Sequence, residues 1–148
     1  MNYPKKVTIG DITVRDGFQH EEKFIPTAAK LWLAEQLILA GFRHIEVTNL
    51  GNPVGMPQFK DADEILKKLR ASKTVAHLMP QVSLTAITIR EKAIERAIQA
   101  RQEGWGPDRI LLMVSTSESH HRKNSGLTLV PKFYFSELNK HSNGKKSK

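Results

Sequence analysis

Polar side chains able to do chemistry recur at four places in the 148-residue chain. Arg15, Asp16 and Gln19 follow a β-branched stretch. His44, Glu46 and Thr48 alternate with Ile45 and Val47. Ser83 and Thr85 form a third group, and Ser115, Ser117, Glu118, His120 and His121 a fourth. The second group carries the clearest local argument. With a period of two, Ile45 and Val47 face one side of a strand, and His44, Glu46 and Thr48 face the other. The apolar side suits helix packing. The side bearing an acid suits a polar lumen or cleft, where a buried carboxylate requires a partner. Arg15 is the candidate, either as part of a functional cleft or as a structural Arg–Glu pair closing the sheet. With no cysteine, thiolate nucleophiles, thiolate metal sites and disulfides are excluded, so any metal must use oxygen and nitrogen ligands.

The elements that would position these groups alternate along residues 1–117. Val7–Val14 reads as a short strand ending at the Asp16-Gly17 turn signal. A helix opens at Pro26-Thr27, carries Leu31, Ala34, Leu37 and Ile38 on one face, and ends at Gly41. Phe42–Thr48 is the second strand. Asp61 and Glu64 have capping-box spacing before a helix with Ala62, Ile65, Leu66 and Leu69 on one face. Val82–Ile87 is the third strand, and Thr88 with Glu91 repeats the capping pattern. The helix that follows bears Ala93, Ile94, Ala97 and Ile98 and runs to Gly104. Ile110–Val114 is an apolar run, as expected of a parallel strand buried on both faces. Four strands alternating with three helices predict βαβ units and an α/β fold. In such folds functional groups gather at the C-terminal ends of strands, where all four polar groups lie.

Asp11-Ile12-Thr13-Val14-Arg15-Asp16-Gly17-Phe18-Gln19 resembles the D-x-T-x-R-D-G-x-Q signature of the DRE-TIM metallolyases. Glu46, in His-Ile-Glu-Val-Thr, sits where that superfamily carries its second-strand glutamate. Ser115-Thr116-Ser117-Glu118-Ser119 followed by Arg122-Lys123-Asn124 is similar to the hydroxymethylglutaryl-CoA lyase branch, which has a pyruvate carboxyltransferase-like domain. The resemblance covers roughly residues 7–126. It implies the first four βα units of a (β/α)8 TIM barrel. It also implies Asp16 as a ligand of a divalent cation, Mg²⁺ or Mn²⁺, and Arg15 as the group that stabilises a substrate enolate. Gln19, Thr48, Ser117 and Glu118 would line the substrate pocket, and Glu46 would hold Arg15 in place. The implied reaction is metal-dependent carbon–carbon cleavage of a small acyl-CoA or oxo-acid substrate. Guanidinium and cation charge aimed at an enolate oxygen suits that chemistry.

The chain also departs from that pattern. A barrel of this kind typically takes about 250 residues, and the family's later His-x-His metal pair and catalytic cysteine are missing from this sequence. Adjacent His120 and His121 would diverge in an extended segment and are not expected to replace them. Ala86-Ile87 stand where the lyases carry Pro-Asn, which leaves a Claisen-type synthase as an alternative, with a non-catalytic remnant as a second. The expectation is a truncated enzyme, weakly active or inactive alone. Its domain comprises residues 1–126. Residues 127–148 form a basic, disordered tail, read as the product of a shifted frame. Of the +8 formal charge, +5 falls on residues 118–148. That segment has no interleaved aromatics or nucleic-acid motif, so no specific nucleic acid is expected. No run approaches a membrane span and no signal peptide opens the chain, so a cytoplasmic location is expected. Open first and fourth strand edges make a homo-oligomer a further expectation.

Overall fold

The computed structural model describes residues 3–113 and 117–125, which belong to two units, 1–113 and 114–148. In the first unit the order is β1 (Gly10–Asp11), α1 (Thr27–Leu39), β2 (His44–Asn49), α2 (Ala62–Arg70), β3 (Ser83–Thr88), α3 (Glu91–Gln102) and β4 (Arg109–Leu112). The four strands form one parallel sheet in chain order. The second unit contributes α4 (Glu118–Ser125). Residues 126–148, including the expected tail, lie outside the described residues, as do Ser115 and Thr116.

Apolar periodicity explains the core. Ala34 and Ile38 of α1 and Ile65, Leu66 and Leu69 of α2 pack with Ile45, Val47, Leu84 and Ala86 of the central strands. Gly41 and Gly104, immediately after α1 and α3, have φ of 106° and 85°. That left-handed conformation, which a side chain disfavours, ends each helix and turns the chain toward the next strand.

Five expectations are corrected. The first strand is only Gly10–Asp11, not 7–14. Asp11 ends it: its Oδ1 accepts the Thr13 amide at 2.8 Å and its Oδ2 accepts the Thr13 hydroxyl at 3.2 Å. Such local bonds compete with a sheet ladder, and residues Thr13–Gly17 wind into a π-type turn. Neither expected capping box forms. Asp61 precedes α2 without a side-chain cap bond, because its carboxylate is committed to Lys30 and Thr27. Thr88 is the last residue of β3, and Arg90 occupies the cap position of α3. On α3, Ala93, Ala97 and Ala100 are buried while Ile98 is exposed. β4 is not buried on both faces: its residues alternate exposed and half-buried, since only β3 pairs with it. The alternation of β2 also breaks. Glu46 pairs with Thr85 but Thr48 pairs with Ala86, the next residue of β3, so a bulge at Val47 takes Thr48 off the Glu46 side.

Candidate functional site

The π-type turn brings Arg15, Asp16 and Gln19 to the C-terminal side of β1, beside Glu46 of β2. Ile12 anchors the turn through its carbonyl, which accepts the Arg15 amide at 3.1 Å and the Asp16 amide at 2.6 Å. Single π-type turns are uncommon and frequent at functional sites. The Arg15 residue is 7% exposed. Its Nε donates to Glu46 Oε2 at 2.7 Å, and Nη2 lies 2.6 Å from the same oxygen. Nη1 donates to Asp16 Oδ1 at 2.6 Å and to Gln19 Oε1 at 3.3 Å. Of its three charged members, Asp16 is the most open.

A guanidinium has five N–H donors in a fixed plane. Glu46 faces one edge, and Asp16 and Gln19 take both protons of Nη1. One N–H of Nη2 is left for an incoming oxygen. The sequence-derived residues Arg15, Asp16, Gln19 and Glu46 are therefore together.

Thr48 is not with them. It is buried, and its hydroxyl has no hydrogen-bond partner. Ser117 and Glu118 belong to the second unit. There Ser117 Oγ lies 3.0 Å from Ser119 Oγ, and Glu118 pairs with Arg122 at 2.9 Å.

A brace beneath the cluster escaped the sequence reading. Lys30 is 2% exposed, yet charged. Its Nζ donates to Asp61 Oδ1 at 2.8 Å and to the Gln58 carbonyl, and lies 4.4 Å from the centre of the Phe24 ring. Thr27 Oγ1 donates to Asp61 Oδ2 at 2.8 Å. Gln58 Nε2 donates to the carbonyls of Glu21 and Lys23 at 2.7 and 2.6 Å, and its Oε1 accepts the Ile25 amide at 3.1 Å. The segment following Gln19 is thus tied to the β2–α2 loop. A signal existed: Lys30, Ala34 and Ile38 are spaced by four, which put the lysine on the buried stripe of α1.

Whether these residues fit a divalent cation can be judged from the donor set. Asp16 has one carboxylate oxygen committed to Arg15. Among the described residues no three His, Cys, Asp or Glu side chains gather where they could hold a metal. A hard cation takes six or more oxygen ligands. One carboxylate shared with a guanidinium falls short of such a set, so no step below runs through a metal.

Parallel βα units in chain order, with ionic side chains at the strand ends, define an α/β chain built as the N-terminal part of a TIM barrel. Residues 6–132 match the HMGL-like family model, and the chain belongs to that family. Hydroxymethylglutaryl-CoA lyase of Bacillus subtilis is 32% identical over 124 residues, which are 84% of this chain and 38% of the relative. The mitochondrial hydroxymethylglutaryl-CoA lyase of Mus musculus is 29% identical over 130 residues, 88% of this chain and 36% of the relative. Among solved structures, the Bacillus subtilis HMG-CoA lyase superposes with a TM-score of 0.75 at 28% identity, covering 96% of this chain and 45% of that one. An HMG-CoA lyase from Acinetobacter baumannii, in complex with coenzyme A and 3-methylmalate, gives 0.75 at 25% identity, over 95% and 42%. The chain thus spans little more than a third of the length of the curated relatives it matches. These relatives are lyases, and the synthase alternative is not favoured. No helix among the described residues is long and apolar enough to cross a membrane.

Proposed function

We propose that the chain supplies the β1–β4 part of a carbon–carbon lyase site for a hydroxymethylglutaryl-CoA-type thioester, with Arg15 as the group that meets the enolate. The observation that carries this reading is the buried Arg15 guanidinium, fixed on one edge by Glu46 and on another by Asp16 and Gln19. Cleaving the bond between the α-carbon and the carbinol carbon leaves the electron pair on the α-carbon and negative charge on the thioester oxygen, while the carbinol becomes a ketone as its hydroxyl proton passes to water. A preorganised N–H donor at about 2.7–3.1 Å from that oxygen stabilises the charge without reorganisation. The open N–H of Nη2 has that role, Glu46 and Gln19 are positioning residues, and Asp16 fixes the Nη1 end of the guanidinium.

Formal charges support a partial site. One guanidinium and two carboxylates sum to −1, so an enolate beside them would meet a net repulsive field unless further positive charge arrives. Turnover of hydroxymethylglutaryl-CoA by the 148-residue chain with added Mg²⁺ should therefore stay near background. Calorimetric titration with hydroxymethylglutaryl-CoA tests the Arg15 role directly. A hydrogen bond to a charged group contributes about 1.5–3 kcal/mol, so Arg15→Met should weaken binding by about 10- to 100-fold. Equal affinity of parent and variant, or no binding by the parent, would reject the role of Arg15. Vigorous turnover by the chain alone would reject the partial-site reading.

A further inference from the structure

We infer that the first unit pairs with a second copy of itself, β4 of each against β1 of the other, closing eight parallel strands into a barrel. The inference rests on the sheet and not on the lyase reading. All four strands are parallel, so among the described residues β1 and β4 leave opposite edges of the sheet unpaired. The β4 edge of one copy can therefore take β1 of another as its next parallel neighbour. Two such seams use both edges of both copies and leave none open, as a barrel requires. The chain superposes on 45% of a barrel lyase at a TM-score of 0.75, so its parallel strands match the N-terminal part of such a barrel.

The edges have the chemistry of buried strands. Val7 and Ile9, just before β1, are 70% and 68% exposed, and Met113, just after β4, is 57% exposed. Here residues 7–9 of the β-branched stretch have no ladder partner, and only Gly10 and Asp11 pair with β2.

The register agrees. The ladder leads from Asp11 through Ile45 to Leu84, whose carbonyl accepts the Asp108 amide at 2.8 Å. An eight-stranded barrel has a shear of about eight, or about four residues per half. That stagger sets residues 7–11 of one copy beside residues 108–112 of the next. The interior also needs partners. His44 and Ser83 are paired neighbours on β2 and β3, and their Nδ1 and Oγ atoms are buried without hydrogen bonds. Closure would place two Arg15–Glu46–Asp16 clusters around one lumen.

The chain has no cysteine, so introduced thiols report the seam cleanly. Within one copy, residues 8 and 109 are on strands three spacings apart, about 14 Å, beyond the reach of a disulfide. Light scattering at tens of micromolar should give twice the 16.7 kDa chain mass. On oxidation, Thr8→Cys mixed with Arg109→Cys, register partners at exposed positions of the seam, should form a disulfide-linked pair, while each variant alone stays largely unlinked. Ile9→Glu, at an exposed position, should abolish the dimer while the far-ultraviolet dichroism of the parent is kept. A monomeric parent, a Thr8→Cys variant that links to itself as readily as to Arg109→Cys, or an open series of oligomers would each overturn the inference.

Discussion

Replacing Lys30 by methionine removes the central donor of the brace beneath the cluster, and the geometry sets the cost. Methionine keeps most of the lysine volume, so the aliphatic packing of the α1 stripe survives and the cavity contribution is small. The loss is ionic. Asp61, itself buried, keeps only the Thr27 hydroxyl of its two side-chain donors, and the Gln58 carbonyl loses the ammonium. Removing one partner of a buried pair costs about 3–5 kcal/mol. Against a typical stability of about 5–15 kcal/mol this is a large fraction. With a urea slope of about 1–3 kcal/mol per molar, the midpoint should fall by at least about 1 M. Lys68→Met, which removes the exposed Lys68–Glu64 pair of α2, should shift stability by less than about 1 kcal/mol. The double variant Lys30→Met/Asp61→Leu should recover most of the loss, because the stranded carboxylate is gone, although the Thr27 hydroxyl then costs about 1 kcal/mol. Urea unfolding of the four proteins reads all of this. If Lys30→Met moves the midpoint no further than Lys68→Met, or if the double variant is no more stable than the single one, the brace is not what holds these loops.

Gly106→Ala and Gly104→Ala should separate by mechanism in thermal melts. A Cβ at Gly106 would lie 2.4 Å from the Arg101 amide nitrogen and 2.6 Å from the Ala100 carbonyl carbon, costing about 1–3 kcal/mol or more. At Gly104 a Cβ meets nothing within 4 Å and only the φ of 85° opposes it, costing about 1 kcal/mol. Asp108 accepts the Leu84 amide and pairs with Arg70 and Arg101, so Asp108→Asn should cost about 1–3 kcal/mol in urea unfolding. The Glu103 carboxyl is held below its ordinary value of 4.5, first by the Trp105 indole N–H and then by Gln99. Its ionised form is favoured in the folded state, so this stabilisation is fully present above about pH 4.5 and is lost as pH falls through the lowered value. A carboxyl titration followed by NMR should show the value rise in Trp105→Phe.

How much was legible in the sequence follows from the range of each interaction. The periodicity of Ala34 and Ile38, or of Ile65, Leu66 and Leu69, reports a face that must be buried whatever it packs against. The order of strands and helices was therefore readable. The glycines at 41 and 104 were readable because a positive φ after a helix demands that residue type. The misread features turn on competition between partners. Asp61 has capping-box spacing, but a buried ammonium contributed by α1 outcompetes a helix amide for its carboxylate. Asp11 diverts the chain from the strand through a bond only two residues long, which a β-branched composition conceals. The bulge that moves Thr48 depends on the pairing of β2 with β3, and alternation within one strand does not encode it. Arg15, Asp16, Gln19 and Glu46 were found because their types and order match a known signature. Their contact depends on the π-type turn, which the reading did not contain.

That turn explains why an arginine stands at position 15. Extended strand geometry sends residues 15 and 16 to opposite faces, whereas the turn lets the Arg15 guanidinium meet the carboxylate of the adjacent residue as well as Glu46 on the next strand. A lysine ammonium, with a rotatable point charge, could neutralise either acid but not present a fixed plane to both. The Asp11–Thr13 bonds, the Ile12 carbonyl and the Glu46 carboxylate thus act on one object, the orientation of that plane. The brace at Lys30 acts on the segment that follows Gln19. Orientation is the part of enolate stabilisation that a protein scaffold supplies in advance. Net charge is the part this cluster does not supply. Among the described residues only the first of these is present.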